Sequence, residues 1–435
     1  MTFGKVHWVC LFLLFSLLLP EAQDSETKLT KDDLRWMKQV LNTTRDDIKK
    51  NYYDPGFHRL NLDARFQEAL EKIQSAPNRN YAVADIAGAV SALNDSHTVF
   101  VPAPRPYVHE YGWRMQAEGE SDCFITVVRP GSDAEKKGVI AGDQVLSING
   151  YAAIREDVSK IRYVYGSLRP QPGLRLVLRT PQGATKQLDL MSDLRPRTRN
   201  PWKQLDEIEA ASKSHKPRVF EYGQKALVFR LPDFLFDPDE AHKMLDQIRK
   251  HDALILDLRG NRGGYAEFLL RFLGGMFDHD VKVAERIGRK PLEASVAKSR
   301  GSNAFTGKIV VLVDSESASA AEVFARVMQL EARGIVVGDR SSGKVMESRM
   351  HPHEVETIGG LFQFGISITE ADLIMADGKS LENIGVVPDE RVVPSATDLA
   401  TGRDPALARA AQLVGVNVSP EEAGKLFPFE WPTEY

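Results

Sequence analysis

The stretch Asp314-Ser315-Glu316-Ser317-Ala318-Ser319-Ala320-Ala321-Glu322 lies between an apolar run, Ile309–Val313, and an amphipathic pattern that continues to about Arg333. Small residues at a strand-to-helix turn let backbone approach a ligand closely. The free N–H groups and the dipole of a helix N-terminus favour a developing anion there. A serine in that setting can act as a nucleophile beside part of an oxyanion hole, or can simply cap the helix. A second turn, Asp257-Leu258-Arg259-Gly260-Asn261-Arg262-Gly263-Gly264, closes another apolar run, and its consecutive glycines can offer N–H groups to an oxyanion. A third, Gly338-Asp339-Arg340-Ser341-Ser342-Gly343-Lys344, follows the run Gly334–Val337. His351-Pro352-His353-Glu354 has metal-ligating residue types, but Pro352 prevents an i, i+4 helical pair, so no metal is assigned.

These turns need rigid elements behind them. Ala253–Leu258 and Ile309–Val313 are continuous apolar runs, as expected of strands buried on both faces, and helical patterns follow each. The region from about Phe220 to Val393 therefore reads as α/β with a partly parallel sheet. Upstream, Leu34, Met37, Val40 and Leu41, and then Phe66, Leu70 and Ile73, recur at helical spacing from about Leu29 to Leu93. Pro102, Pro104 and Pro106 argue for an extended connection. Short strands are expected between Tyr107 and Leu190, among them Cys123–Val128 and Leu174–Leu178. A further helix is expected over Pro405–Val414.

The chain has 435 residues, 43% hydrophobic and 27% charged, which excludes disorder and exceeds what one core can serve. A net charge of -4 gives no reason to expect a nucleic-acid partner. Lys5, the apolar run Val9–Leu19 and the small residue Ala22 read as a secretory signal peptide over 1–22; the run is far short of the roughly 20 residues a membrane span needs. Removing it takes away Cys10 and leaves Cys123 as the single cysteine. A periplasmic or extracellular location follows, with no membrane span in the mature chain.

Gly142-Asp143-Gln144-Val145-Leu146-Ser147-Ile148-Asn149-Gly150 resembles a PDZ domain. Such domains add a peptide to a sheet edge and hold its carboxylate in a loop, for which Gly112, Trp113, Arg114 and Met115 are the candidates. The succession of strand, S-A-S-A-x-E, helix, strand and G-x-x-x-x-G-K, together with Leu258-Arg259-Gly260-Asn261 and the glycine pair, resembles the tail-specific, or C-terminal-processing, serine peptidases. That resemblance covers most of the mature chain. It implies an α+β multidomain protein with an N-terminal helical region, a PDZ-like β domain and an α/β, ClpP/crotonase-like catalytic domain. The expected divisions are 1–22 signal peptide, 29–103 helical domain, 104–192 PDZ-like domain, 193–217 linker, 218–395 catalytic domain and 396–435 C-terminal tail.

The resemblance also implies roles. Ser319 matches the nucleophile, and Gly263 or Gly264 with Ala320 matches the oxyanion hole. Lys344 matches the base of the Ser-Lys branch, although Val345-Met346-Glu347 stand where that branch has its following glycine and glutamine. Asp95-Ser96-His97-Thr98 resembles the segment that supplies a histidine base, with a serine beside it, in the branch related to the tricorn protease core. Glu382 of Glu382-Asn383-Ile384-Gly385-Val386 matches the partner glutamate. A neutral histidine needs no large pKa shift to act as a base, whereas a lysine does, so His97 with Glu382 leads and Lys344 stays the alternative. The expected activity is a serine endopeptidase acting on protein or peptide substrates, with no cofactor and with room for an oligomer. The rival expectation is a non-catalytic protein of the same fold that binds an apolar ligand or a C-terminal peptide.

Overall fold

The computed structural model describes residues 28–196 and 216–431. The signal-peptide segment 1–22 and most of the linker 193–217 lie outside the described residues.

Three helices open the described chain: Lys31–Asn51, Leu62–Ser75 and Arg79–Ser91. Thr30 starts the first through a capping box with Asp33. Trp36, Met37, Val40, Leu41 and Ile48 form its buried stripe. The helices do not close a core alone. Their apolar faces continue onto Phe100, Phe364, Ile366 and Ile368, which belong to a strand at Val99–Val101 and to the long hairpin Met346–Thr357/Gly360–Met375. Val99–Val101 pairs antiparallel with that hairpin, Val99 opposite Ser367 and Val101 opposite Gly365. This pairing carries the segment just after the helices to the opposite end of the sequence.

An antiparallel sheet follows, in the order Trp113–Glu118, Asp122–Val128, Gln144–Ile148, Gly173–Arg179 and Thr185–Met191. The short helix Val158–Tyr163 belongs to the same unit, whose core includes Met115, Ile125, Val158, Ile161 and Cys123. Burial pushes the Cys123 thiol up to about 12, which makes it a packing residue. Asp193–Pro196, expected in the linker, instead pairs as a strand with Tyr107–Glu110.

The next sheet runs Arg218–Tyr222, Ala226–Arg230, Ala253–Asp257, Lys308–Val313, Ile335–Gly338 and Glu390–Arg391, parallel from the second strand onward. Every residue of Ala253–Asp257 is buried. Helices Glu240–Ile248, Ala266–Gly274 and Ala320–Leu330 cover one face, and Pro405–Leu413 covers the other. Both faces being closed, the ends of the strands are where polar chemistry can reach solvent. The turns after Asp257 and after Val313 leave from that end, side by side, because their strands pair in register from Ala253/Lys308 to Asp257/Leu312.

Candidate active site

The turn after Val313 is held from both sides. The Asp314 carboxylate accepts the N–H groups of Glu316, Ser317 and Gly260, each at 3.0 Å. The Ser317 hydroxyl donates to the Leu258 carbonyl at 2.8 Å, and the Ala318 N–H donates to the Asn261 carbonyl at 2.9 Å. At the end of the turn Ser319 takes φ 56° and ψ −120°, a positive φ that costs a non-glycine residue of the order of 1–3 kcal/mol. Its N–H donates to the Lys344 carbonyl at 2.9 Å and to the Glu322 carboxylate at 3.1 Å. Helix Ala320–Leu330 begins at the next residue, so the Ala320 N–H is one of the orphan donors of a helix start.

Gly263 lies directly against this serine. A Cβ on Gly263 would stand 2.6 Å from Ser319 Cβ and 2.9 Å from the Ala320 nitrogen, and its φ is +91°. Its own N–H is already given to Asn261 Oδ1 at 2.8 Å. Asn261 is fully buried and also donates to the Leu231 carbonyl at 2.9 Å. The Gly264 N–H has no such partner among the described residues. Gly264, at φ +151°, is pressed against the Phe234 backbone, where a Cβ would meet the carbonyl carbon at 2.4 Å. Of the three expected oxyanion donors, Gly264 and Ala320 therefore retain free N–H groups.

His97 reaches the site through the Val99–Val101 pairing. Asp95 fixes its turn by accepting the N–H groups of His97 (2.8 Å) and Thr98 (3.0 Å) and the Thr369 hydroxyl (2.8 Å). His97 Nδ1 lies 2.8 Å from the Ser96 hydroxyl, which donates to Glu382 Oε2 at 2.9 Å. With its one proton committed to the carboxylate, the Ser96 oxygen can only accept from Nδ1–H, which leaves Nε2 with the lone pair. Glu382 also takes the N–H groups of Ser96 (2.8 Å) and Val345 (2.9 Å). Burial holds the His97 imidazole below its ordinary value; nearby Asp95 opposes that and nearby Lys344 adds to it. Burial likewise raises the Glu382 carboxyl, against the three hydrogen bonds it accepts.

Lys344 shares the site through its backbone. Its amine turns to the hydroxyl of Ser159, in helix Val158–Tyr163, at 2.5 Å. Burial lowers its pKa, Glu316 opposes, and Arg262 and Arg162 lower it further. Glu322, fully buried, gathers the loop around it: Ser341 Oγ (2.5 Å) and the N–H groups of Gly343 (2.8 Å) and Lys344 (2.9 Å) all donate to its carboxylate. Burial pushes this carboxyl up to about 7, with those bonds pulling the other way.

Ser319, Gly263 and Ala320 thus meet at one turn, Lys344 joins them through its carbonyl, and Glu382 with His97 follows through the Val345 N–H and Ser96; no hydrogen bond joins Ser319 to His97 among the described residues. Gly112, Trp113, Arg114 and Met115 are not part of that cluster. Gly112 sits at φ +74° with its N–H on Glu110 (3.0 Å), and the Arg114 guanidinium lies 5.3 Å over the Trp431 ring. The strand they begin nevertheless touches the serine-bearing turn: Gln116 donates to Asp314 (2.8 Å), and Ser315 donates to the Ala117 carbonyl (2.6 Å). Arg162 donates to the Met115 carbonyl. Buried Asp339, at the tip of the neighbouring strand, pairs with Arg155 of the same unit. The positioning roles of Asn261, Glu322 and Ser159 went unassigned from sequence. For Glu322 a signal existed, the serine-to-glutamate spacing of a capping box. His353 stands on the Met346–Thr357 strand with Nε2 2.5 Å from Asp47.

Residues 225–392 match the family model described as Peptidase family S41, a segment that holds Ser319, Lys344 and Glu382 but not His97. The carboxyl-terminal-processing protease of Picosynechococcus is 26% identical over 365 residues, covering 80% of this chain and 81% of that protein. The tail-specific protease of Haemophilus influenzae is 26% identical over 350 residues, covering 77% of this chain and 45% of that protein. Among solved structures, mature CPAF aligns with a TM-score of 0.62 at 14% identity, covering 84% of this chain and 94% of that one. The photosystem II D1 C-terminal processing protease aligns with a TM-score of 0.51 at 18% identity, covering 91% and 100%. These two structures establish likeness of fold.

Proposed function

We infer, for a chain that is a serine-type peptidase with a peptidase family S41 domain over residues 225–392, that Ser319 is its nucleophile and His97 its general base. The observation that carries this reading is the hydrogen-bonded path His97–Ser96–Glu382, which leaves His97 Nε2 as the basic atom. Nε2 takes the Ser319 hydroxyl proton as Oγ attacks the scissile carbonyl carbon. The Gly264 and Ala320 N–H groups receive the oxyanion, and His97 returns the proton to the leaving amine. Water then repeats the sequence on the acyl-enzyme. Lys344 is the second candidate for the base, supported by its lowered pKa and by its carbonyl on the Ser319 N–H. Its amine is committed to Ser159.

The substrates proposed are proteins and peptides cut near their C-termini. The unit at 104–192 is proposed to be PDZ-like and to take a peptide at the Gly112–Met115 edge. A peptide strand added there must displace Arg162 from the Met115 carbonyl and Ser315 from the Ala117 carbonyl. Export through residues 1–22 to the periplasm or the medium completes the reading; no helix among the described residues is long and apolar enough to cross a membrane.

The test is digestion of an unfolded protein by the full chain and by Ser319→Ala, His97→Ala and Lys344→Ala. Cleavage lost in Ser319→Ala and His97→Ala supports the assignment. Activity surviving in His97→Ala but not in Lys344→Ala transfers the base to Lys344.

A further inference from the structure

The charges around Ser319 do not balance. Glu316 is shared by two guanidinium groups, Arg162 at 2.5 Å and Arg262 at 2.8 Å, both on the same oxygen. Glu322 is buried and turned to Ser341, Gly343, Ser319 and the Lys344 backbone N–H. The Lys344 ammonium has three donors, one of them on the Ser159 hydroxyl, and pairs with no carboxylate among the described residues. Three cations thus stand against one fully shared glutamate.

The backbone fixes where Lys344 stands. The Lys344 carbonyl holds the Ser319 N–H, and the following residue, Val345, gives its N–H to Glu382, the carboxylate at the end of the His97–Ser96 path. Lys344 therefore sits between the anchor of the nucleophile and the anchor of the base. The base hands its proton to the departing amine, so the base marks the leaving-group side of a bound peptide.

We propose that Lys344 is a carboxylate-binding residue on the leaving-group side of the site, engaging a substrate carboxylate close beyond the scissile bond. This rests on the assignment of Ser319 and His97 given above. The carboxylate comes from one of two sources: the free C-terminus of a short tail, or an aspartate or glutamate side chain in the same place. In either case the substrate supplies the carboxylate that Lys344 does not find among the described residues, and the Ser159 hydroxyl, from the neighbouring unit, accepts one of the amine's donors. The site then selects by charge where the chain is cut.

Binding is measured on the full chain carrying Ser319→Ala, so that peptides stay intact. Fluorescent peptides are built on a cleavage site mapped by mass spectrometry of an unfolded protein digested by the wild type. Four peptides are compared: one ending in a free carboxylate two residues beyond the scissile bond, its C-terminal amide, and two longer amides carrying Glu or Gln at that place. The expected result is a preference of about tenfold or more for a carboxylate form over its neutral counterpart, as for a charge-assisted contact. That preference collapses in Ser319→Ala/Lys344→Gln and persists in Ser319→Ala/Lys344→Arg. The free-acid and Glu peptides tell the two sources apart. A preference that survives Lys344→Gln, or none for either carboxylate, overturns the inference. Failure of the underlying assignment appears separately, as cleavage of the peptides by Ser319→Ala or as digestion of the unfolded protein that survives in His97→Ala.

Discussion

Replacing Ser96 by alanine cuts the path from His97 to Glu382 while sparing most of what holds the fold. Glu382 keeps the N–H groups of residue 96 and Val345, at 2.8 and 2.9 Å, so its carboxylate stays anchored. What is lost is the acceptor 2.8 Å from His97 Nδ1. That hydrogen bond matters most when the imidazole becomes positively charged in the transition state, where a charge-assisted bond contributes about 1.5–3 kcal/mol. At 1.36 kcal/mol per tenfold, kcat should fall by roughly 10- to 150-fold. Global stability should fall by only about 1 kcal/mol, because the fold loses one ordinary hydrogen bond. Steady-state kinetics on a fluorogenic peptide from pH 5 to 9 reads kcat and KM apart, and urea unfolding reads stability. Glu382→Gln disables the same path from its other end, so the double variant should be little slower than the slower single variant. A Ser96→Ala enzyme within about threefold of wild type across the pH range, or two losses that multiply, would refute the relay.

Three further outcomes follow from the geometry. Because burial, helped by Lys344, holds His97 below 6.5, kcat/KM should rise with pH along a limb centred below 6.5; a limb at or above that value contradicts a buried neutral base. Glu322 is raised from 4.5 to about 7 in the fold, so the protonated form is the one folding favours. Its contribution to stability is fully present below about 4.5 and is lost as pH rises through about 7, of the order of 2 kcal/mol; urea unfolding at pH 5 and 7.5 should show a fall that Glu322→Gln lacks. Gly263→Ala puts a methyl carbon 2.6 Å from Ser319 Cβ at φ +91°, so peptidase activity should disappear, with a loss of at least about 2 kcal/mol in the same unfolding assay.

The strands that present the site were readable because a sheet covered on both faces demands unbroken apolar runs, and Ala253–Leu256 and Ile309–Val313 are such runs. The small residues after them marked the turns. The hairpin Met346–Thr357/Gly360–Met375 was not anticipated. Its first strand buries only Met346 and Val355 and contains Pro352, so it carries little apolar alternation, while Phe364, Ile366 and Ile368 of the second strand floor the N-terminal helical core. The path from His97 through Ser96 to Glu382 is invisible to periodicity, since it joins segments far apart in sequence; the motif resemblance alone pointed to it. Choosing between Gly263 and Gly264 as a donor required seeing where the Asn261 side chain turns. The direction of the Lys344 amine, toward Ser159, depends on how two units pack, which no local pattern encodes. The rival reading of a non-catalytic binding protein gives way to a serine-type peptidase.

The contact between Ser96 and Glu382 joins residues 286 positions apart. A ribosome delivers His97 first, Ser319 far later and Glu382 later still. A nascent chain shorter than 382 residues therefore cannot close the His97–Ser96–Glu382 path. On the assignment proposed above, cleavage of peptide bonds waits for the last third of the chain to join the first, so the order of synthesis itself delays the chemistry.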